Sequence, residues 1–240
     1  MNKNFKTQNA LSVLILTFNS QKYLDEVLKS ASFADEILIL DSGSSDDTRL
    51  IASKYQNAKF LSHEWLGFGK MKNYGVNATK NNWVFVLDSD EIITKSLQDE
   101  IIRELKNPAF NAYKIARLNY FFGAPLRHLG LYPDYTIRLF NKNFANFSKD
   151  AVHEKVLVNC DTGVLKEHFL HYAYESVEQF ITKQNRYSSL NAKKSRFKAI
   201  FGPFWTFFKL YVIKGGFLDG WRGFIVARLY AQYTFWKYIK

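Results

Sequence analysis

The sequence predicts an α/β fold in which a mainly parallel central sheet is flanked by helices and followed by a helical, basic and aromatic C-terminal extension. Three observations carry this. Short apolar runs rich in Leu, Ile and Val (11–16, 36–40, 83–87) alternate with segments whose apolar residues follow helical spacing. Each run ends in a polar turn, where an open parallel sheet gathers its ligand-binding loops. The charge is also uneven: residues 183–240 hold twelve Lys/Arg and one acid, Asp219, whereas the rest balances 21 bases with 21 acids.

A chain of 240 residues with 47% hydrophobic content can bury a substantial core. A single cysteine, Cys160, excludes an intramolecular disulfide framework and a Cys-x-x-Cys zinc site, which fits a reducing compartment. The polar N-terminal residues and the short run 11–16 lack the form of a signal peptide. Lys209 and Lys214 interrupt the most apolar stretch, so a membrane-spanning helix is not expected.

The run 11–16 ends at Thr17-Phe-Asn-Ser20 and reads as a buried strand entering a loop; Leu24, Val27, Leu28 and Ala31 then share one helical face. Residues 36–40 form a second buried strand. Asp41-Ser-Gly-Ser-Ser-Asp-Asp-Thr48 is a turn into a helix with Leu50, Ile51 and Tyr55 on one face, where Asp46 and Asp47 suit its N-terminal end. A weaker strand covers 58–61 and a strong one 83–87. Ser96 opens a helix that runs through Leu105 and stops before Asn107-Pro108. From Ala112 the pattern is strand-like at 113–119, 136–140, 155–158 and 168–172. Ser176-Val-Glu-Gln179 is a capping box for a basic helix through about Arg196. Gly202-Pro203 and Gly215-Gly216 read as breaks before a last helix from about Gly223. The expected organisation is a nucleotide-binding domain over 1–175, with a donor half at about 8–110 and an acceptor half at about 111–175, and a helical extension over 176–240.

The chemistry concentrates in Trp83-Val-Phe-Val-Leu-Asp-Ser-Asp-Glu91. Asp88 and Asp90 follow a buried strand, and alternation puts them on one side. Two such carboxylates repel unless a cation joins them, and a hard ion such as Mg²⁺ or Mn²⁺ takes one or two carboxylates and completes its shell with diphosphate oxygens. Asp-Ser-Asp-Glu also suits a plain helix cap. Gly67 to Gly75 lacks the G-x-x-x-x-G-K-[ST] form of a phosphate loop. His168 and His171, three apart on a strand, point to opposite faces and read as structural.

Leu14-Ile-Leu-Thr-Phe-Asn19, Ile39-Leu-Asp-Ser-Gly-Ser-Ser-Asp-Asp-Thr48 and Val86-Leu-Asp-Ser-Asp-Glu91 together resemble the family 2 glycosyltransferases, in the family's order and spacing. The resemblance implies the GT-A nucleotide-binding fold and an inverting transfer of a hexose from a nucleotide diphosphate sugar such as UDP-glucose. It implies that Asp41 accepts a hydrogen bond from uracil, that Thr17 and Asn19 line the base pocket beside Gly43, that Asp88 lies near the ribose and that Asp90 binds Mg²⁺ or Mn²⁺. Lys72 and Asn73 match the family's basic residue and Asn before the metal strand, with Lys70 as the competing cation. Asp150-Ala-Val-His-Glu154 resembles a Val-His-Glu element of one branch, which implies Glu154 as the base that deprotonates the acceptor hydroxyl, with His153 beside it. Alternatives are Asp150 as the base, or Glu154 paired with Arg138. Glu91, Arg138 and His153 are the candidate acceptor contacts.

Gly215-Gly-Phe-Leu-Asp-Gly-Trp-Arg-Gly223 narrows the likeness to the lipopolysaccharide-core glucosyltransferase branch, implying a lipid-linked saccharide acceptor. Aromatics interleaved with Lys209, Lys214, Arg222, Arg228 and Lys237 suit an anionic membrane surface, so a cytoplasmic enzyme held at the inner face of the cell membrane is expected, with no nucleic-acid partner. The same aromatics can instead pack on the catalytic domain or on a second copy as a homodimer. Two other readings remain open: transfer to a polyprenyl phosphate, and a non-catalytic membrane- or nucleic-acid-binding module.

Overall fold

The computed structural model describes residues 9–148, 155–190 and 192–240. The chain forms two compact units, one of residues up to 116 with 135–170, the other of 117–134 with 171–240. The C-terminal region therefore shares its unit with an inserted segment from the middle of the chain.

In the first unit, β1 (Leu11–Thr17), β2 (Glu36–Asp41), β3 (Ala58–Ser62) and β4 (Trp83–Asp88) pair in parallel in the order β3-β2-β1-β4. The register aligns Thr17 with Asp41 and Leu16 with Asp88, so the polar residues after three strands meet at one edge. The apolar runs are continuous because both faces of these strands are covered. Val13, Ile15, Ile37, Ile39, Phe85 and Leu87 join one core cluster, and Leu14, Leu38, Leu40, Val84 and Val86 the other.

Helix α1 (Leu24–Ala31) seats Leu24, Val27, Leu28 and Ala31 in the first cluster, all fully buried. Each such Leu or Val is worth about 1.5–3 kcal/mol of burial. The helix α2 (Thr48–Ala52) is short. On the other face lies α3 (Phe68–Ala78), which takes in most of the Gly67–Gly75 stretch with Lys70, Lys72 and Asn73. It sits so close to the sheet that a Cβ on Gly75 would lie 2.6 Å from Leu14 Cδ1. Helix α4 (Lys95–Glu104) is capped by Thr94 rather than opened by Ser96, because the Thr94 hydroxyl accepts from Leu97 N–H at 3.2 Å. That hydroxyl also donates to the His168 carbonyl at 2.7 Å.

The sheet continues antiparallel: β4 pairs with β8 (Asp134–Asn141), and the order runs on through β6 (Ala112–Phe121) and β11 (Gly163–Tyr174) to β5 (Glu91–Ile93). A two-stranded ladder joins β9 (Ala145–Phe147) to β10 (Val156–Val158). All four strand-like pieces expected after Ala112 are thus strands.

In the second unit, β7 (Ala124–Pro125) folds back on the end of β6. The capping box holds: Gln179 N–H donates to Ser176 Oγ at 3.1 Å, opening α5 (Val177–Leu190). The helix does not reach Arg196. Ser195 instead caps a new helix, α6 (Arg196–Phe208), accepting from Lys198 N–H at 3.4 Å. The break expected at Gly202-Pro203 is absent, since both lie inside α6. Gly202 serves packing there, because a Cβ on it would approach Thr234 to 3.1 Å. A π turn (Lys209–Ile213), left-handed Gly215 and a 3-10 turn (Gly216–Asp219) supply the expected second break. The last helix, α7, runs Gly220–Ile239, starting before Gly223. Phe121, Leu126, Leu129, Tyr174, Phe180, Val226 and Ala227 form this unit's own core.

Candidate active site

At the carboxyl end of β2, Asp41 is 3% exposed and accepts four hydrogen bonds from its own chain. Thr17 Oγ1 donates to Oδ1 at 2.8 Å and Ser44 Oγ at 2.5 Å, while Gly43 and Ser44 N–H donate to Oδ2 at 3.0 and 2.9 Å. Burial acts to raise its pKa, but the bonds from Ser44, Thr17 and Gly43 outweigh it and hold the carboxyl below its usual range, so the group is an anion at neutral pH. Asn19, in a left-handed conformation (φ 48°), fixes the same turn by accepting from Ser45 N–H at 2.9 Å. Its own N–H donates to Ser44 Oγ at 2.8 Å. Sequence reading missed Ser44. Its signal was the short Asp-Ser-Gly-Ser turn, in which an Asp accepts from amides two and three residues on.

A second cluster surrounds Asp88. Buried Lys72 reaches it from α3, Nζ to Oδ1 at 3.3 Å, and Arg138 from β8, Nη2 to Oδ2 at 3.1 Å. Lys70 is exposed, so the cation that meets the motif is Lys72. Asn73 clamps a strand, exchanging two 2.8 Å hydrogen bonds with the backbone of Phe147. The strand stops at Asp88, and Ser89 and Asp90 form a turn, so simple alternation does not extend to Asp90. Ser89 Oγ accepts from Ser20 Oγ at 2.9 Å, tying this turn to the loop after β1.

Glu91 is fully buried. It accepts from Asp88 N–H at 2.9 Å and from Arg138 Nη2 at 2.5 Å. Arg138 is 6% exposed, lies over the Phe169 ring at 5.3 Å and keeps a buried Nε without a partner. Burial disfavours its charge, but Glu91, Asp88 and Asp90 more than compensate and raise its pKa. Glu91 and Arg138, expected toward the acceptor, are enclosed and engaged with each other. The residues Asp150, His153 and Glu154 lie outside the described ones.

The first unit therefore brings a buried, hydrogen-bonded anion and a charge-compensated carboxylate motif to one sheet edge, where Thr17, Asn19, Asp41, Gly43, Lys72, Asp88 and Asp90 are gathered. Such an edge can hold a nucleoside and the phosphates attached to it.

Comparison with known proteins bears on the family and the fold. The profile of Glycosyl transferase family 2 matches residues 12–172. An uncharacterised glycosyltransferase of Rickettsia conorii is 31% identical over 261 residues, covering 100% of this chain and 92% of the relative. The lipopolysaccharide core biosynthesis glycosyltransferase LpsC of Rhizobium meliloti is 29% identical over 241 residues, covering 94% and 89%. Among solved structures, residues 1–349 of Staphylococcus aureus TarS in complex with UDP superpose with a TM-score of 0.51 at 19% identity, covering 95% of this chain and 88% of that one. The mixed α/β sheet with its C-terminal helices is a GT-A glycosyltransferase fold. The chain belongs to the family 2 glycosyltransferases.

Proposed function

We propose that the first unit transfers a hexose from a nucleoside diphosphate sugar, UDP-glucose or a close analogue, to a hydroxyl of a cell-envelope saccharide such as lipopolysaccharide core, with inversion. The carrying observation is the meeting of ionised Asp41 with the Lys72–Asp88–Arg138 cluster at one sheet edge. Asp41 takes the imide N–H of the base in exchange for the Ser44 hydroxyl, a rotor already bonded to Asn19. Thr17 keeps the carboxylate in place. Lys72 and Arg138 hold Asp88 oriented toward the ribose.

The donor set fits a hard divalent ion. Asp88 is met by Lys72 and Arg138, and Asp90, in the turn after the strand, is the carboxylate of the motif proposed to hold Mg²⁺ or Mn²⁺. A hard ion of this kind takes one or two carboxylates and completes its shell with substrate phosphate oxygens. When bound, the ion neutralises charge building on the leaving diphosphate. Glu154 takes the proton of the acceptor hydroxyl, with His153 beside it and Asp150 as the alternative base. The name of the Rhizobium relative, which covers nearly the whole chain, supports lipopolysaccharide core as the acceptor; we place the transfer at the inner face of the cell membrane on the basic, aromatic character of residues 183–240.

Calorimetry of UDP with and without Mn²⁺ tests the reading. Asp90→Asn should lose the metal-dependent part of the binding, and unchanged metal-dependent binding would overturn the assignment. A hydrolysis screen across UDP, GDP and ADP sugars should show preference for a UDP donor.

A further inference from the structure

In the second unit, α6 wears its apolar face outward. Phe197, Ile200, Phe201, Phe204, Trp205 and Phe208 fall at the i, i+3, i+4, i+7 spacing of one helical stripe, and all are 48–74% exposed. Its inward residues Ala199 and Phe207 pack on α7. An ordinary surface helix does the reverse. On α7, Trp221, Phe224 and Phe235 are also exposed, at 57, 48 and 38%. A groove of about 640 Å³ joins the two stripes, walled by Ile200, Phe204, Phe224 and Phe235, with Arg228 and Gln232 as its polar residues.

The surrounding charge is of one sign. Residues 192–240 hold ten Lys/Arg and one acid. That acid, Asp219, is turned inward, bonded to the His128 ring at 2.8 Å and to the backbone N–H of Arg127 and His128. Arg196 and Lys198 stand at one end of the α6 stripe, Lys209 and Lys214 at the other. No described helix is long and apolar enough to cross a membrane. A broad apolar face on a stretch of chain that carries ten cations and one inward-turned acid matches an anionic lipid surface, whereas a second copy would bring ten more cations against it.

We propose that the α6–α7 face lies flat on an anionic bilayer, its aromatic stripe among the acyl chains and Arg228 in the groove on a lipid phosphate. This extends the transfer reading by naming the surface on which the enzyme meets a lipid-linked acceptor, and it stands on α6 and α7 alone.

Sedimentation of the full chain with vesicles of phosphatidylcholine, alone or mixed with phosphatidylglycerol, tests it. Binding should require the anionic lipid and weaken with salt. Lys198→Gln and Lys209→Gln should each lower partitioning about fivefold, the equivalent of one basic residue at such a surface. Phe204→Ser with Trp205→Ser should abolish sedimentation, and brominated acyl chains should quench Trp205 fluorescence. Because these positions are exposed, thermal melting should not change. UDP binding by the first unit should also be unaffected, so a failed donor site and a failed lipid face are separable. Wild-type vesicle binding by both the charge and the aromatic variants overturns the proposal. So does a dimer in ultracentrifugation that the aromatic variant dissociates without any change in vesicle binding.

Discussion

Replacing Arg138 by methionine keeps a stem of similar length but removes the cation that Glu91 and Asp88 face. Glu91 is fully buried, and its carboxylate would lose the guanidinium while the Asp88 N–H stays on its second oxygen. Breaking a buried ion pair from one side costs about 3–5 kcal/mol, because the remaining charge is left desolvated. In a unit of this size each kcal/mol moves Tm by about 2–4 °C, so Arg138→Met should melt roughly 6–20 °C lower in calorimetry. The companion variant Arg138→Met with Glu91→Gln removes the orphaned charge and should recover most of that loss, giving a coupling energy above about 1.5 kcal/mol in a double-mutant cycle. A single variant that melts within about 2 °C of wild type, or a double variant no more stable than the single, would refute the claim that this pair organises the motif.

Glu154→Gln should lower kcat by about 10²–10⁴-fold with little change in donor KM; near-normal turnover would point to an acceptor that is already an anion, such as a lipid phosphate. Asp41 has a depressed folded pKa, so its stabilisation is complete above the usual carboxylate range and fades as pH falls through the folded value. The Tm gap between wild type and Asp41→Asn should therefore shrink below about pH 4, and a gap constant from neutral to acid pH would contradict this. Thr94→Ala loses both the cap to Leu97 and the bond to His168, about 1–2 kcal/mol by chemical denaturation, and Thr94→Ser should restore most of it.

The strands were legible because burial of both sheet faces writes a continuous apolar run into local sequence, and the polar residue after each run marks the carboxyl edge. That is how Thr17, Asp41 and Asp88 could be placed together from order and spacing alone. Local signals failed where a distant neighbour decided. Pro203 reads as a break, yet α6 continues through it because packing against α7 outweighs the lost hydrogen bond, with Gly202 letting Thr234 close. Ser195 rather than sequence continuity set the boundary between α5 and α6.

By itself the sequence determined the α/β class, the paired carboxylates after the fourth strand, the family and the basic, aromatic character of the C-terminal region, all of which are carried by residues close in the chain. Only the tertiary structure decided the partners. It selected Lys72 over Lys70, brought Arg138 from 50 residues away onto Asp88, enclosed Glu91 and filled the acceptor positions of Asp41 with Ser44 and Thr17. It also decided that the aromatics of α6 face outward. The reason is that charge pairing and desolvation act through space, over a few ångströms that chain separation does not encode.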